Sequence, residues 1–302
     1  MQVRELKDWL TRELRAVSDP GELQSLVMIL MQDFTGLSVT RILTEPDDLL
    51  EGLDPAVVRK ALDRLLEHEP VQYVTGRAPF FGLTLRVGPG VLIPRGETEE
   101  LVDWILKDTQ VRKPVYENLR ILDVGCGSGA ISVALALNLP GCEVTAIDVS
   151  ETAVGMTLEN WSPLKPEYPA GASPGSRLNA FVYDFIHGAE EGAGRAEFSL
   201  PFEIIVSNPP YIEQSRRGHL APRVKEYEPA EALFVPDEDP LLFYRHLAIF
   251  ASRHLSPTGA LFLEINERFG RETLELVSNY FTNTELRKDL HGKDRLIRAV
   301  NE

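Results

Sequence analysis

Asn208-Pro209-Pro210-Tyr211 closes the apolar run Phe202-Glu203-Ile204-Ile205-Val206 and Ser207, putting an amide, two prolines and an aromatic ring into four positions. Neither proline has an N–H, each fixes its own φ near −65°, and Pro209 pushes Asn208 out of the α region. The strand therefore ends in a stiff corner that offers one side-chain amide and free carbonyls, a grip suited to a group carrying N–H. Taken alone, the same four residues equally describe a turn, with Asn208 capping it and Tyr211 entering the core.

A second group lies upstream. Ile121-Leu122-Asp123-Val124-Gly125-Cys126-Gly127-Ser128-Gly129-Ala130 leaves an expected strand and opens a helix. Gly125, Gly127 and Gly129, with Cys126 and Ser128 between them, would let a ligand approach the backbone at the carboxyl edge of a sheet. Asp148 ends the next strand, where a carboxylate accepts the hydroxyl hydrogens of a ribose. Together they predict a nucleoside-containing cofactor. The loop also satisfies the looser dinucleotide spacing G-x-G-x-x-A, so an NAD-dependent oxidoreductase stays open. A phosphate-cradling P-loop does not, because no Gly-Lys-Ser/Thr follows. Two features lean away from NAD: Asp123 suits the amino group of a methionine moiety better than a pyrophosphate, and Asn208 to Tyr211 lie at a further carboxyl edge.

These residues need a frame. Strands expected over 120–124, 143–147, 180–183 and 202–206 alternate with helices from 129 and 151, after a helix over 97–107, which predicts an open, mostly parallel α/β sheet. The chain then reads as a helix over 241–254, a turn at Ser256-Pro257-Thr258-Gly259, a strand over 260–265 and a helix over 271–280. Two strands around 285–290 and 295–300 are close enough to pair antiparallel. At the other end Leu6, Leu10, Leu14 and Val17, then Leu23, Leu26, Val27 and Leu30, recur at helical spacing. Asp19-Pro20 and Asp54-Pro55 read as N-cap and N1 pairs. The expected organisation is a small helical domain over 1–69, a β-hairpin linker over 70–95 turning at Gly88-Pro89-Gly90, and the α/β domain over 96–302. Segments 161–177 and 188–197 read as loops.

At 302 residues, 43% hydrophobic and 25% charged, the composition is globular. A net charge of −15 argues against general affinity for phosphate backbones. Cys126 and Cys142 are too few for a disulfide framework, the six histidines show no ligand spacing, and no metal is expected. Without a signal peptide or a run of about 18 apolar residues, the chain is expected to be soluble and cytoplasmic.

The loop D-V-G-C-G-S-G and the corner N-P-P-Y resemble S-adenosylmethionine-dependent methyltransferases that act on a planar nitrogen. The fuller match is to the release factor glutamine N5-methyltransferase family, PrmC or HemK. P-V-Q-Y-V-T-G, F-F-G-L-T-L-R-V-G-P-G-V-L-I-P-R-G-E-T-E-E-L-V, S-N-P-P-Y-I, E-Y-E-P-A-E-A-L, G-A-L-F-L-E-I and K-D-L-H-G-K-D-R all carry it. The resemblance implies a Rossmann-like methyltransferase sheet with S-adenosyl-L-methionine held by Asp123, Gly125, Cys126, Gly127, Ser128, Gly129 and Asp148. It also implies Asn208, Pro209, Pro210 and Tyr211 as catalytic and substrate-binding residues, with Asn208 also beside the cofactor. The substrate would be the glutamine of the Gly-Gly-Gln motif in class 1 peptide chain release factors, docked by the helical domain, with no membrane or direct nucleic-acid partner. Phe185, just after Asp184 at a strand end, is expected to cover the adenine, against the alternative that it is core. Arg95 and the acidic run Glu97-Thr98-Glu99-Glu100 are expected to help close the site, or else simply to complement a helix dipole. Tyr227-Glu228-Pro229 reads as channel lining or as a solvated loop. The family's usual proline between Arg95 and Glu97 is Gly96 here, and Asn266 replaces a glycine. Adenine N6-methylation of nucleic acid, NAD-dependent oxidoreduction and non-catalytic cofactor binding are the other readings.

Overall fold

The computed structural model describes residues 1–112, 119–164, 175–188 and 196–301. Two compact units divide the chain: Met1–Arg77 with Ala221–Tyr227, and Ala78–Leu220 with Glu228–Glu302.

The first unit is built from α1 (Val3–Leu14), α2 (Pro20–Thr35), α3 (Val39–Thr44), α4 (Pro55–Leu66) and α5 (Val71–Thr75). Leu6, Leu10 and Leu14 of α1 meet Val27, Leu30 and Met31 of α2 and Val58, Leu62 and Leu65 of α4 in one apolar cluster. The helical spacing read along the sequence is thus the spacing of that core. Asp54 caps α4, its Oδ1 accepting the Ala56 N–H at 2.8 Å. Asp19 precedes Pro20 in the same way but caps α2 without a side-chain bond. The segment from the distant part of the chain is held by a two-pronged Arg223–Glu22 pair at 3.0 and 3.1 Å and by the Tyr227 hydroxyl, which donates to the Glu67 carbonyl at 2.7 Å.

The expected hairpin is present but turns elsewhere. β1 (Arg77–Phe80) pairs with β2 (Leu83–Arg86) across Phe81 and Gly82, both with positive φ, 48° and 76°. Two central residues of that hand match the strand twist of a tight hairpin. Only the glycine announces it, since Phe81 is a bulky residue in an unusual conformation. Gly88-Pro89-Gly90 does make a turn, with the Val91 N–H on the Gly88 carbonyl, but no strand follows. Val71–Thr75, expected as part of the extended texture after Pro70, is a short helix ended by Gly76. Apolar runs this short do not distinguish strand from helix.

The second unit continues with α6 (Gly96–Arg112), β3 (Arg120–Val124), α7 (Ala130–Asn138), β4 (Glu143–Asp148), α8 (Glu151–Trp161), β5 (Arg177–Val182) and the single turn α9 (Phe185–Gly188). Then come β6 (Phe202–Ser207), β7 (Ile212–Glu213), α10 (Pro222–Lys225, within the first unit), β8 (Phe234–Val235), α11 (Leu242–His254), β9 (Leu255–Glu264), α12 (Gly270–Ser278), β10 (Asn283–Lys288) and β11 (Asp294–Val300). Among the described residues, seven strands form one sheet in the order β10-β11-β9-β6-β3-β4-β5. β9, β6, β3, β4 and β5 are parallel, while β10 and β11 run antiparallel, as expected from their spacing. This is a Rossmann-like α/β sheet. Successive strands leave β3 in opposite directions, β4 on one side and β6 on the other, so a crevice opens at their carboxyl ends.

Ser256 to Gly259 fall inside β9 but take no part in its pairing with β6, which jumps from Phe202–Leu255 to Ile204–Ala260. The turn residues thus form a bulge. β5 starts three positions earlier than expected. Most of the loops expected over 161–177 and 188–197 lies outside the described residues. Among the described residues no helix is long and apolar enough to cross a membrane.

Alternation along the strands decides which side chains face which helices. Ile121, Ile204, Val206, Ala260 and Phe262 join α6 and α7 in one core layer. Leu122, Val124, Ile205, Leu261 and Leu263 join α11 and α12 in the other.

Candidate active site

The same parity sends Asp123 toward α7, Asn208 toward α6, and Glu264, at the end of β9, also toward α6. Three polar side chains therefore lie on one face of the sheet at or near its carboxyl edge, each facing a particular helix.

Asp123 is fully buried. Its Oδ2 accepts the Ser132 N–H at 3.1 Å and the Ser132 hydroxyl at 2.5 Å, in the first turn of α7, while Oδ1 is buried without a partner. Burial pushes its pKa up to about 7, against the lowering effect of Ser132. An orphaned buried carboxylate oxygen is costly and calls for a donor.

The glycine loop is pinned to β4. The Gly125 and Cys126 N–H groups donate to the Ile147 carbonyl at 2.8 and 3.0 Å, and the Gly127 N–H donates to Asp148 Oδ2 at 2.9 Å. Asp148 Oδ1 accepts the Ser150 N–H at 2.9 Å. Each Asp148 oxygen keeps a lone pair for a further donor. Burial raises the pKa of this carboxyl despite its backbone donors.

A side chain at Gly125 or Gly127 would meet nothing within 4 Å, so the space in front of the loop is open. Gly129 is different: a Cβ there would lie 2.9 Å from Thr157 Cγ2 of α8. Its lack of a side chain is required by the packing of the loop on α8. Cys126 likewise turns inward, 6% exposed, with Sγ accepting the Thr157 hydroxyl at 3.3 Å. Ser128 is buried and its carbonyl accepts from Asn160 Nδ2 at 2.8 Å. Asn160 also bonds both backbone groups of Arg86, tying loop, α8 and β2 together. Neither Thr157 nor Asn160 carried any sequence signal.

Phe185 is a core ring. It is 6% exposed and packs edge-on against Phe250 of α11 at 5.3 Å, the core placement that was its alternative reading. An aromatic at a strand end buries apolar area most cheaply by turning into the core.

At the corner, the Ser207 hydroxyl donates to the Val124 carbonyl at 2.7 Å, locking the end of β6 to the end of β3. Ser207 pairs with Val124 in register, so Asn208 leaves β6 where Gly125 leaves β3. Asn208 Nδ2 donates to Thr98 Oγ1 at 3.1 Å, and the Thr98 hydroxyl donates to Glu264 Oε2 at 2.7 Å. Glu264 Oε1 accepts the Tyr211 hydroxyl at 3.3 Å, and the Tyr211 carbonyl accepts Asn266 Nδ2 at 2.7 Å. Asn208 Oδ1 and the Pro209 carbonyl receive no hydrogen bond among the described residues. Burial raises the Glu264 pKa to about 7, with Thr98, Arg295 and Tyr211 opposing and Glu97 adding to the rise. Burial and then Glu264 push the Tyr211 phenol up.

Arg95 pairs with the buried Glu228 at 2.6 Å, so the segment after Tyr227 is fastened beside the loop that opens α6. Tyr227 itself belongs to the helical unit. Among the described residues no group of three or more His, Cys, Asp or Glu side chains could hold a metal ion.

The geometry therefore joins the open space before Gly125 and Gly127, beside Asp148, to a prolyl corner whose two acceptors receive no hydrogen bond among the described residues. Known proteins resemble the chain along most of its length. A family profile described as the PrmC N-terminal domain matches residues 5–76, and one described as the methyltransferase small domain matches residues 105–224. The release factor glutamine methyltransferase of Flavobacterium psychrophilum is 39% identical over 301 residues, 99% of both chains. That of Bacteroides thetaiotaomicron is 35% identical over 292 residues, 96% of this chain and 97% of its own. The human MTRF1L release factor glutamine methyltransferase is 35% identical over 254 residues, 80% of this chain and 70% of its own. With identity of this level along almost the whole length, the chain belongs to the release factor glutamine methyltransferase family.

Proposed function

We propose that the chain transfers a methyl group from S-adenosyl-L-methionine to the side-chain amide nitrogen, N5, of the glutamine in the Gly-Gly-Gln motif of class 1 peptide chain release factors. The observation that carries this reading is the pair of unsatisfied acceptors, Asn208 Oδ1 and the Pro209 carbonyl, on a corner in register with the glycine loop. The residues fit the cofactor. Asp148 would take the ribose hydroxyls, the open backbone at Gly125 and Gly127 would face the ligand, and the orphaned Asp123 Oδ1 would receive its amino group. When bound, it would supply a methyl carbon made electrophilic by a sulfonium, and would leave as the neutral thioether once that carbon–sulfur bond is broken.

An amide nitrogen is a poor nucleophile because its lone pair is delocalised into the carbonyl. Asn208 Oδ1 and the Pro209 carbonyl each accept one hydrogen of the substrate NH₂, which fixes the plane of the amide and the direction of its lone pair. Such orientation supplies up to roughly 7–11 kcal/mol in well-placed reactions. As the nitrogen forms its bond to carbon it gains positive charge, and both acceptors strengthen, a stabilisation specific to the transition state. The nitrogen, briefly carrying both hydrogens and the methyl group, then gives one proton to water. Pro210 stiffens the corner, and Tyr211, held by Glu264 and Asn266, walls it. The helical unit is assigned the docking of the release factor.

Incubation with a release factor and labelled S-adenosylmethionine, followed by mass spectrometry, tests the reading. A single added methyl on the Gly-Gly-Gln glutamine is the expected result. Label in the adenines of DNA, or none in protein, would overturn it.

A further inference from the structure

An asparagine at the catalytic corner can present either edge of its amide, and only one edge is useful. With Oδ1 outward it accepts from a substrate NH₂, whereas with Nδ2 outward it opposes the same group donor to donor. We propose that Thr98 and Glu264 form a positioning relay that fixes the Asn208 amide with Oδ1 outward and so sets its preference for an NH₂-bearing substrate. The proposal rests on the reading of Asn208 given above and extends it to two residues that touch no substrate.

The reasoning is a count of hydrogens. Glu264 is 1% exposed, and above about pH 7, where it is ionised, its carboxylate only accepts. The single hydrogen of the Thr98 hydroxyl is therefore committed to Oε2, at 2.7 Å. Thr98 is itself buried, and toward Asn208 it has only a lone pair left to offer. A lone pair selects the amide nitrogen, found 3.1 Å away, and the amide oxygen must point the other way. The second carboxylate oxygen takes the Tyr211 hydroxyl. One buried acid thus braces two residues of the same corner from another strand. Position 98 had read only as part of an acidic run expected to help close the site or to complement a helix dipole, neither of which requires a threonine.

Two changes at position 98 separate orientation from packing. Thr98→Val keeps the volume and removes the hydroxyl. At pH 8, with Glu264 ionised, its kcat on release factor is expected to fall about 10²-fold, as for a misdirected reacting group, with S-adenosylmethionine affinity by calorimetry unchanged. Thr98→Ser, which loses a methyl group but keeps the hydroxyl, should stay within a few-fold of wild type. A packing role predicts the reverse order, and finding that order overturns the relay. Glu264→Gln provides a second arm that does not depend on the stability of the valine variant. Its NH₂ can donate to Thr98, freeing the hydroxyl to donate to Asn208 Oδ1 and turning the amide around. That enzyme should be slower yet no less resistant to urea, since a buried charge has been removed. Equal or higher kcat in Glu264→Gln also counts against the relay. If the wild-type protein methylated no release factor, the functional reading would fall but the relay would still be decided. The Asn208 side-chain NH₂ should show slowed hydrogen exchange by NMR in the wild type and lose it in Thr98→Val, and equal exchange in the two would reject the relay.

Discussion

Asn208 and Asp148 lie a strand apart, and their removal should be felt in different constants. Asn208→Ala takes away an acceptor that tightens as charge develops on the substrate nitrogen. Turnover is expected to drop by about 10²-fold or more while S-adenosylmethionine still binds, since removing one preorganised electrostatic partner costs roughly that much. Stopped-flow or steady-state assays alongside calorimetry check it, and full turnover in the mutant would remove Asn208 from the mechanism. Asp148→Ala should do the opposite. Losing hydrogen bonds from a charged acceptor, about 1.5–3 kcal/mol, weakens cofactor binding some ten- to hundredfold. The mutant should regain much of its rate at high cofactor concentration. Asp123 differs from both, because half of its carboxylate is already spent on Ser132.

At the level of elements, two glycines that look alike in the sequence carry opposite expectations. Gly129, at φ 78°, faces Thr157 so closely that a Cβ would sit 2.9 Å from Cγ2. Gly129→Ala is therefore expected to destabilise the catalytic unit by about 1–3 kcal/mol through overpacking, measured as a lower urea midpoint. Gly96 opens α6, has no positive φ, and a Cβ there meets nothing within 4 Å. The family's proline should fit at this first helical position, and Gly96→Pro is expected to add about 0.4–1 kcal/mol by restricting the unfolded chain. The strand-end positions of Asp123, Asp148 and Asn208 were legible because strands and their glycine or proline stops are local patterns. The partners of those residues were not. Thr98 meets an asparagine 110 positions away and a glutamate 166 away, contacts that no local periodicity records. The inward packing of Phe185, Cys126 and Gly129 was hidden for a related reason: a motif fixes where the backbone goes, while the packing of α8 and α11 decides which side chains it turns inward. The hairpin turn at Phe81-Gly82 escaped notice because its first residue is one that turn chemistry disfavours.

For the molecule as a whole, the two buried acids set a stability trend with pH. Asp123 and Glu264 hold their protons up to about 7 in the folded state, against ordinary values of 3.8 and 4.5. Between those limits the native chain binds more protons than the unfolded one, so stability falls as pH rises through the window and levels off above it. Asp239, held below the usual range by Arg245, titrates at lower pH and leaves the window undisturbed. Urea midpoints followed by circular dichroism should decline from pH 5 to pH 8, and Glu264→Gln should flatten part of that decline. A rising midpoint would contradict the assignment. Both cysteines of the chain lie in the same unit as these acids, unjoined and buried, their thiols lifted away from the reactive thiolate by the apolar surroundings. An alkylating reagent would consequently act as a stopwatch for one half of the protein. It would run only while the methyltransferase half is open, slow when a nucleoside seats against the glycine loop, and stay silent about the helical half, where there is no sulfhydryl to mark.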